Sequence, residues 1–306
     1  VSSNHVWIIG AGGLLGGALT RQLNRNQLFA TLSNETINWA DPDHVNHSFE
    51  RNFHQLLTQA GTDPWTVIWA AGHASTSSTH VDTRQELDTF QLLINVMNKS
   101  SANSQGTFFL TSSAGGVYAG SQDPPFTINT KPNPLSAYGE LKLAQENLAK
   151  EQLTNTCRVL IGRVSNLYGP GQDINKLQGL ISQLAVSALT KKPLNIFVSL
   201  DTMRDYIYVD DAAQTIINLL GSDSENPSTQ IIASGHPVSL GYLIQLAQDI
   251  SRTRIPLAIG AHSSSAAQAS DLRLTPTAPP ETSTFTTLPA GIKNVYLDIL
   301  QRRQNA

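Results

Sequence analysis

The sequence predicts an α/β fold, a doubly wound parallel sheet joined to a smaller C-terminal lobe. Three observations carry this reading. The apolar run Val6-Trp-Ile-Ile9 breaks into Gly10-Ala-Gly-Gly-Leu-Leu-Gly16, after which Ala18, Leu19 and Leu23 recur at helical spacing: strand, glycine turn, helix. Strand-like runs rich in Val, Ile, Phe and Trp then alternate with amphipathic stretches, as in a sheet covered by helices on both faces. Beyond Gly171 that alternation loosens, which marks a second lobe.

At 306 residues the chain is long enough for one large domain with a smaller partner. Twenty-three acidic residues against 20 basic ones give a formal charge of -3, without any basic run, so no nucleic-acid partner is expected. The single cysteine, Cys157, excludes an internal disulfide framework and fits a reducing compartment. Apolar runs are too short for a membrane span, and the N-terminus shows no charged segment followed by an apolar one. The cytoplasm is the expected location, with no membrane partner, although a chain beginning at Val1 leaves a removed leader open.

Taken in order, the glycine turn brings the backbone close to whatever lies above it. The helix behind it offers free N–H groups, at Leu14 and Leu15, and the positive end of its dipole to a phosphate. Gly10, Gly13, Leu14, Leu15 and Gly16 are therefore candidate cofactor-binding residues, and the fold is expected to be of Rossmann type. Leu28 to Leu32 reads as the second strand. An acidic residue would follow it in the simplest dinucleotide pattern, but Ser33 and Asn34 stand there, so NAD or NADP remains open, with Arg21 and Arg25 on the preceding helix. Asp41 either reaches an adenine or caps the helix that follows it.

Trp65-Thr-Val-Ile-Trp-Ala-Ala-Gly72 reads as a buried strand whose small end, Ala70, Ala71 and Gly72, lets a nicotinamide cofactor pass. Leu87, Phe90, Ile94 and Met97 form one stripe on the next helix, a core face or a dimer contact. Thr107-Phe-Phe-Leu-Thr-Ser-Ser113 delivers Ser112 and Ser113 to the carboxyl end of its strand, where open α/β sheets carry their ligands. In the helix after Pro134, Tyr138 and Lys142 share a face. A phenol has a pKa near about 10, and an ammonium beside it favours the phenolate, so Tyr138 could pass a proton in either direction.

After the strand Arg158-Val-Leu-Ile161, a helix is expected from Leu177 to Leu189, a strand at Asn195-Ile-Phe-Val198, and a strand through Arg204 to Asp211 entering a helix at Ala212. Short strands at Ile231-Ile-Ala233 and Pro256-Leu-Ala-Ile259 flank a helix capped near Ser239. Residues 261–278 read as a loop, and Gly291 to Arg303 as a closing amphipathic helix.

From Val6 to Asp211 the motifs, in order, resemble the extended short-chain dehydrogenase/reductase family, in particular its nucleotide-sugar epimerases and dehydratases. The glycines at 10, 13 and 16, the pair Tyr138 and Lys142, and the approach Pro134-Leu-Ser-Ala-Tyr138 carry the likeness. Arg163-Val-Ser-Asn-Leu-Tyr-Gly-Pro170 and Arg204-Asp-Tyr-Ile-Tyr-Val-Asp-Asp211 are its most specific pieces.

The resemblance implies an NAD or NADP cofactor, with Ser33, Asp41, Ala70, Ala71, Gly72, Ser112, Tyr138, Lys142 and Val164 joining the glycine turn around it. It implies that Tyr138 is the acid/base at a sugar oxygen, that Lys142 holds the nicotinamide ribose, and that Ser113, with Ser112 in reserve, binds the same oxygen. A common form of the pattern has its hydroxyl where this chain has Ala114. Asn166 and Arg204 would hold a sugar diphosphate, and Arg273 would be a second phosphate ligand or a surface salt bridge.

The family's 4,6-dehydratases carry an Asp-Glu pair where this chain has Gly115 and Gly116 after Ala114, and other members pair a cysteine with a histidine, for which Cys157 comes too early. What remains is oxidoreduction at C4 of a nucleotide-diphosphate sugar in polysaccharide biosynthesis, a 4-epimerase ahead of a 4-keto-sugar reductase, with a non-catalytic dinucleotide-binding protein as the alternative of another class. A homodimer is expected through helices around 87–97 and 141–148. Residues 1–168 and 202–235 are assigned to the dinucleotide-binding domain, and 169–201 and 236–306 to the substrate-binding lobe.

Overall fold

The period of apolar residues in the first strand already dictates two layers of helix. In β1 (Asn4–Ile9), Val6 and Ile8 face one side and Trp7 and Ile9 the other, because side chains alternate along a strand. The computed structural model describes residues 4–26, 28–32, 37–100, 105–174, 179–222, 228–260, 269–277 and 285–304. Its centre is a six-stranded parallel sheet in the order β10-β5-β4-β3-β1-β2. The strands are β1, β2 (Phe29–Thr31), β3 (Trp65–Trp69), β4 (Gly106–Ser113), β5 (Arg158–Val164) and β10 (Thr229–Ile232).

On one face, α2 (Pro42–Ala60), α3 (His80–Lys99) and α5 (Ala137–Leu153) bury an aromatic core. Trp7, Phe49, Trp69 and Phe90 meet edge to face in sequence, with centroids 6.0, 6.2 and 5.0 Å apart. On the other face, α1 (Leu14–Leu23) and α7 (Val209–Leu220) cover Val6, Ile8, Ile68 and Phe109. Phe90, Ile94 and Met97 of the α3 stripe belong to the core, whereas Leu87 lines an outer groove.

A separate core lies under the C-terminal helices α6 (Leu180–Thr190), α8 (Leu240–Ser251) and α9 (Leu288–Gln304), closed by Tyr168 and Tyr208. Short ladders stand apart from the sheet: β6 (Asn166–Tyr168) pairs with β9 (Tyr206–Tyr208), and β7 (Leu194–Ile196) with β12 (Leu257–Ile259). The third ladder brings β8 (Met203–Arg204) between β11 (Val238–Ser239) and β13 (Asp271–Leu272). The remaining helix, α4 (Ala114–Val117), is a single turn after β4.

Several boundaries differ from expectation for local reasons. Asp210 and Asp211 lie in the first turn of α7 rather than at a strand end, where carboxylates complement the helix dipole. α6 starts at Leu180, and Leu177 lies outside the described residues. Within the expected 261–278 loop, residues 261–268 lie outside the described residues, while Asp271–Leu272 is β13 and Leu274 bridges to Phe126.

The junction of β1 and α1 is packed backbone against backbone. Gly10 has φ of +93°, and a Cβ there would lie 2.6 Å from the Ala71 amide nitrogen. A Cβ on Gly16 would lie 2.1 Å from the Gly10 carbonyl. Neither clash is with a side chain that could swing away. Gly10→Ala is expected to lower unfolding stability by more than about 1 kcal/mol, from the left-handed backbone alone. Denaturant unfolding checks it, and an unchanged midpoint would contradict the close approach.

Candidate active site

The strand order reverses between β3 and β2 around β1, and open α/β sheets bind ligands at such a switch, beyond the strand carboxyl ends. A cleft of about 720 Å³ lies there. Gly13, Leu14 and Leu15 line one end, Ala70, Gly72, Ser112, Ser113 and Val164 the strand tips, Tyr138 the side, and Asn166 and Arg204 the end toward the second lobe. Gly10, Gly16 and Ala71 lie one layer behind, where their small size permits the glycine turn to pack. A larger groove, about 880 Å³, runs over the outer face of α3 and α5 and contains none of the expected site residues.

The cleft fits a dinucleotide at the α1 end. Gly13 caps α1 with no side-chain hydrogen bond, and the first turn holds no acidic residue, so the leading N–H groups have no side-chain partner. Gly12 also lines the cleft, and a Cβ on it would meet nothing within 4 Å. Farther in, Thr111 and Ser165 line the same cleft, their hydroxyl oxygens buried and without a hydrogen-bond partner among the described residues.

Ser136 starts α5 by accepting from the Gly139 amide at 3.2 Å, which puts Tyr138 in the first turn and Lys142 one turn on. The Lys142 ammonium lies 5.7 Å from the Tyr138 ring centroid. It is nearly fully buried, donating to Glu86 Oε1 at 3.2 Å and to Gln145 Oε1 at 3.0 Å. Burial alone would push the Glu86 carboxyl up, but the Lys142 charge and the amides of Ala74 and His73 outweigh it and hold the carboxyl below its usual range.

The two serines divide their tasks. Ser112 Oγ donates to Glu146 Oε1 at 2.6 Å, inside a network in which Arg163 grips both oxygens of Glu146 and donates to Tyr118 Oη at 2.5 Å. Ser113 Oγ accepts from the Gly116 amide at 3.1 Å, which leaves its own O–H to donate. Gly116 abuts the Tyr138 ring: a Cβ there would lie 3.1 Å from Tyr138 Cε1.

Asn166 Nδ2 donates to the Asp205 carbonyl at 2.8 Å, and Arg204 Nη1 to the Met203 carbonyl at 2.9 Å. Arg204 has no carboxylate within salt-bridge distance among the described residues, and burial pushes its pKa down despite Tyr206 and Asp271 nearby. Asp205, next to Arg204 in sequence, is fully buried and accepts from the amides of Ser234 and Gly235.

Two expected ligands stand elsewhere. Asp41 accepts from the amides of Asp43 and His44 at 3.1 and 3.2 Å, so it is the α2 cap. Arg273 donates to both Asp271 oxygens at 3.0 and 2.9 Å and does not line the cleft, so the salt-bridge reading replaces the second phosphate ligand. Ser33 lies outside the described residues. Arg21 pairs with Asp210 of α7, away from the cleft. Burial pushes the Cys157 thiol up to about 12, which leaves it unionised at neutral pH.

Glu86, Glu146, Gly12, Thr111 and Ser165 were not expected from the sequence. Gly12 alone carried a readable signal, as part of the glycine turn.

Residues 6–234 match the family model described as the NAD dependent epimerase/dehydratase family. The chain belongs to this family. Members similar to it include a dTDP-L-rhamnose 4-epimerase of Burkholderia thailandensis, 34% identical over 38% of this chain and 33% of that protein. A dTDP-4-dehydro-6-deoxyglucose reductase of Escherichia coli is 31% identical over 44% of this chain and 42% of that protein. The matches thus span between a third and a half of these curated relatives. A solved UDP-glucose 4-epimerase of Thermotoga maritima, with UDP-glucose, superposes over 98% of this chain and 99% of its own with a TM-score of 0.79 at 18% identity, a likeness of fold.

In this epimerase/dehydratase-family chain the Glu146–Arg163 pair is the more deeply buried of the two ion pairs behind the cleft. Glu146→Ala is expected to cost about 3–5 kcal/mol of unfolding stability, because it strands Arg163 and Ser112 in the interior. A loss below about 1 kcal/mol in denaturant unfolding would contradict this role.

Proposed function

We propose that the protein is a nucleotide-diphosphate-sugar 4-epimerase using NAD or NADP. The observation that carries the reading is Tyr138 opening on the cleft beside Ser113, with Gly115 and Gly116 where an elimination would need its acid and base. Among the described residues lining the cleft, the one carboxylate is Asp173, on the loop after β6. Proton transfer at a single oxygen is therefore the chemistry the cleft can support, and loss of water is disfavoured.

When bound, the dinucleotide supplies a hydride acceptor and donor. The chain's own residues do the rest. Tyr138 takes the proton from the C4 hydroxyl and later returns it, Ser113 donates a hydrogen bond to that oxygen, and Lys142 holds the cofactor ribose. The free N–H groups of α1 take the cofactor pyrophosphate, and Arg204 with Asn166 anchors the sugar diphosphate while the sugar turns. Residues 1–168 and 202–235 then form the dinucleotide-binding domain, and 169–201 and 236–306 the substrate-binding lobe.

The similarity to a 4-keto-sugar reductase favours a second reading, reduction of a 4-keto sugar by NADPH or NADH. The two differ in cofactor balance. Incubation with a panel of nucleotide sugars should convert one into its C4 epimer with no net cofactor consumption, whereas stoichiometric oxidation of added NADPH or NADH by a 4-keto sugar moves the answer to the reductase. Tyr138→Phe should keep the fold and cofactor binding while lowering turnover by about 10²–10⁴. Most activity surviving would remove Tyr138 from the chemistry, and unaltered cellular function would favour the non-catalytic dinucleotide-binding protein.

The outer groove supports a homodimer through α3 and α5. Val81, Leu87, Leu92, Leu141 and Ala144 give it an apolar floor, and Val81 is 79% exposed. Such a face is ordinarily covered. Sedimentation at micromolar concentration should give twice the mass of 33.0 kDa, and a monomer would overturn the pairing. No helix among the described residues is long and apolar enough to cross a membrane, and a cytoplasmic role in polysaccharide biosynthesis is part of this proposal.

A further inference from the structure

Glu86 reaches from α3 to the turn that follows β3, where Oε2 accepts from the amides of His73 and Ala74 at 2.9 Å each. Oε1 accepts from Lys142 Nζ, and the two side chains are only 10% and 7% exposed, so water and salt screen this pair little. The pair nevertheless lies directly under the cleft surface. A Cβ built on Gly72, which lines the cleft, would lie 3.1 Å from Glu86 Oε1 and 3.6 Å from Lys142 Nζ. No side chain at position 72 separates the two charges from what the cleft holds.

The carboxylate meets donors at both oxygens, the two amides at Oε2 and the Lys142 ammonium at Oε1, where a glutamine would offer a single acceptor. Its negative charge, costly to bury unpaired, is matched here by the ammonium. Without it, the Lys142 ammonium would stand alone against the cleft. The nicotinamide ring is cationic when oxidised and neutral when reduced, so an uncompensated ammonium disfavours the oxidised form alone.

We propose that Glu86 is a positioning and charge-balancing residue for the cofactor: it clamps the 73–74 turn to Lys142 and keeps the Gly72 corner neutral, which favours oxidised over reduced dinucleotide. This rests on the reading that the cleft binds a nicotinamide dinucleotide with its redox ring near Tyr138. It also suits that reading, since an enzyme that returns its hydride in every cycle must begin each cycle with the oxidised cofactor.

Calorimetric titration of the full chain with NAD⁺ and NADH, and with their 2'-phosphorylated counterparts, tests the proposal without any sugar substrate. The readout is the ratio of the dissociation constants, oxidised over reduced. Glu86→Gln should raise that ratio about fivefold or more, the order expected for one unit charge a few ångströms away in a partly screened site. Lys142→Met, which removes the opposite charge, should lower it. Uniform losses of affinity cancel in the ratio, so a merely structural Glu86 would weaken both forms equally and leave it unmoved, which overturns the proposal. Should Glu86→Gln fail to fold, Lys142→Met decides, and an unmoved or raised ratio overturns it. Wild-type protein that binds neither dinucleotide overturns the reading of the cleft and this inference with it. Wild-type binding with an unmoved ratio removes the inference alone.

Discussion

Buried charge organises this molecule more than its glycine turn does. Arg163, at the carboxyl end of β5, meets Glu146 in the middle of α5, and both are almost fully buried. Two ions leave water at a cost of several kcal/mol each, recovered only when geometry and further hydrogen bonds are good. Here they are: Arg163 engages both carboxylate oxygens and Tyr118, Ser112 donates to Glu146, and the Tyr118 hydroxyl donates to the Thr127 carbonyl at 2.9 Å. Burial pushes the Arg163 pKa down, but Glu146 and Tyr118 more than reverse it, so the guanidinium stays charged. The network joins β4, β5, α5 and the loop after α4. It sets the rotation of α5 about its axis, and with it the direction in which Tyr138, two turns earlier, faces the cleft.

A second constraint acts at the start of the same helix. A Cβ on Gly139 would lie 2.3 Å from the Gly116 carbonyl, so at this point α4 and α5 approach backbone to backbone. That contact brings the strand tip, with Ser113, beside Tyr138. A side chain at position 116 would press on the Tyr138 ring and on the approach of α5, so the same close packing that seats Tyr138 keeps a carboxylate away from it.

What the sequence disclosed follows from how far each residue's partner lies along the chain. The glycine turn, the Tyr138–Lys142 pair and the serines at the end of β4 are local patterns, and the sheet and its strand tips were legible from them. Glu86 and Glu146 were not, since their partners lie 56 and 17 residues away and an isolated glutamate in an amphipathic helix reads as solvated surface. Asp41 and Arg273 show the converse. Their partners lie two or three residues away, and such short-range bonds compete with any distant role. The caps at Asp41 and Ser239 were visible because an N-cap needs only its own first turn.

The Asp271–Arg273 pair has a bearing on the site even though Arg273 lies outside the cleft lining. β13 runs beside β8 with Asp271 opposite Met203 and Leu272 opposite Arg204, so Asp271 is the carboxylate best placed to neutralise Arg204. Its field does act on Arg204, but Arg273 holds both of its oxygens. With Asp271 engaged, Arg204 is left half-buried, held by one backbone carbonyl and facing the cleft as a cation in need of a counter-charge. An arginine kept in this state loses desolvation energy in the free protein, and recovers it when an anion arrives to make charge-assisted bonds. The Glu86–Lys142 corner is balanced within the protein while the Arg204 end is not. The cleft is thereby polarised along its length, neutral where hydride chemistry would occur and positive where an anionic group of the substrate would anchor.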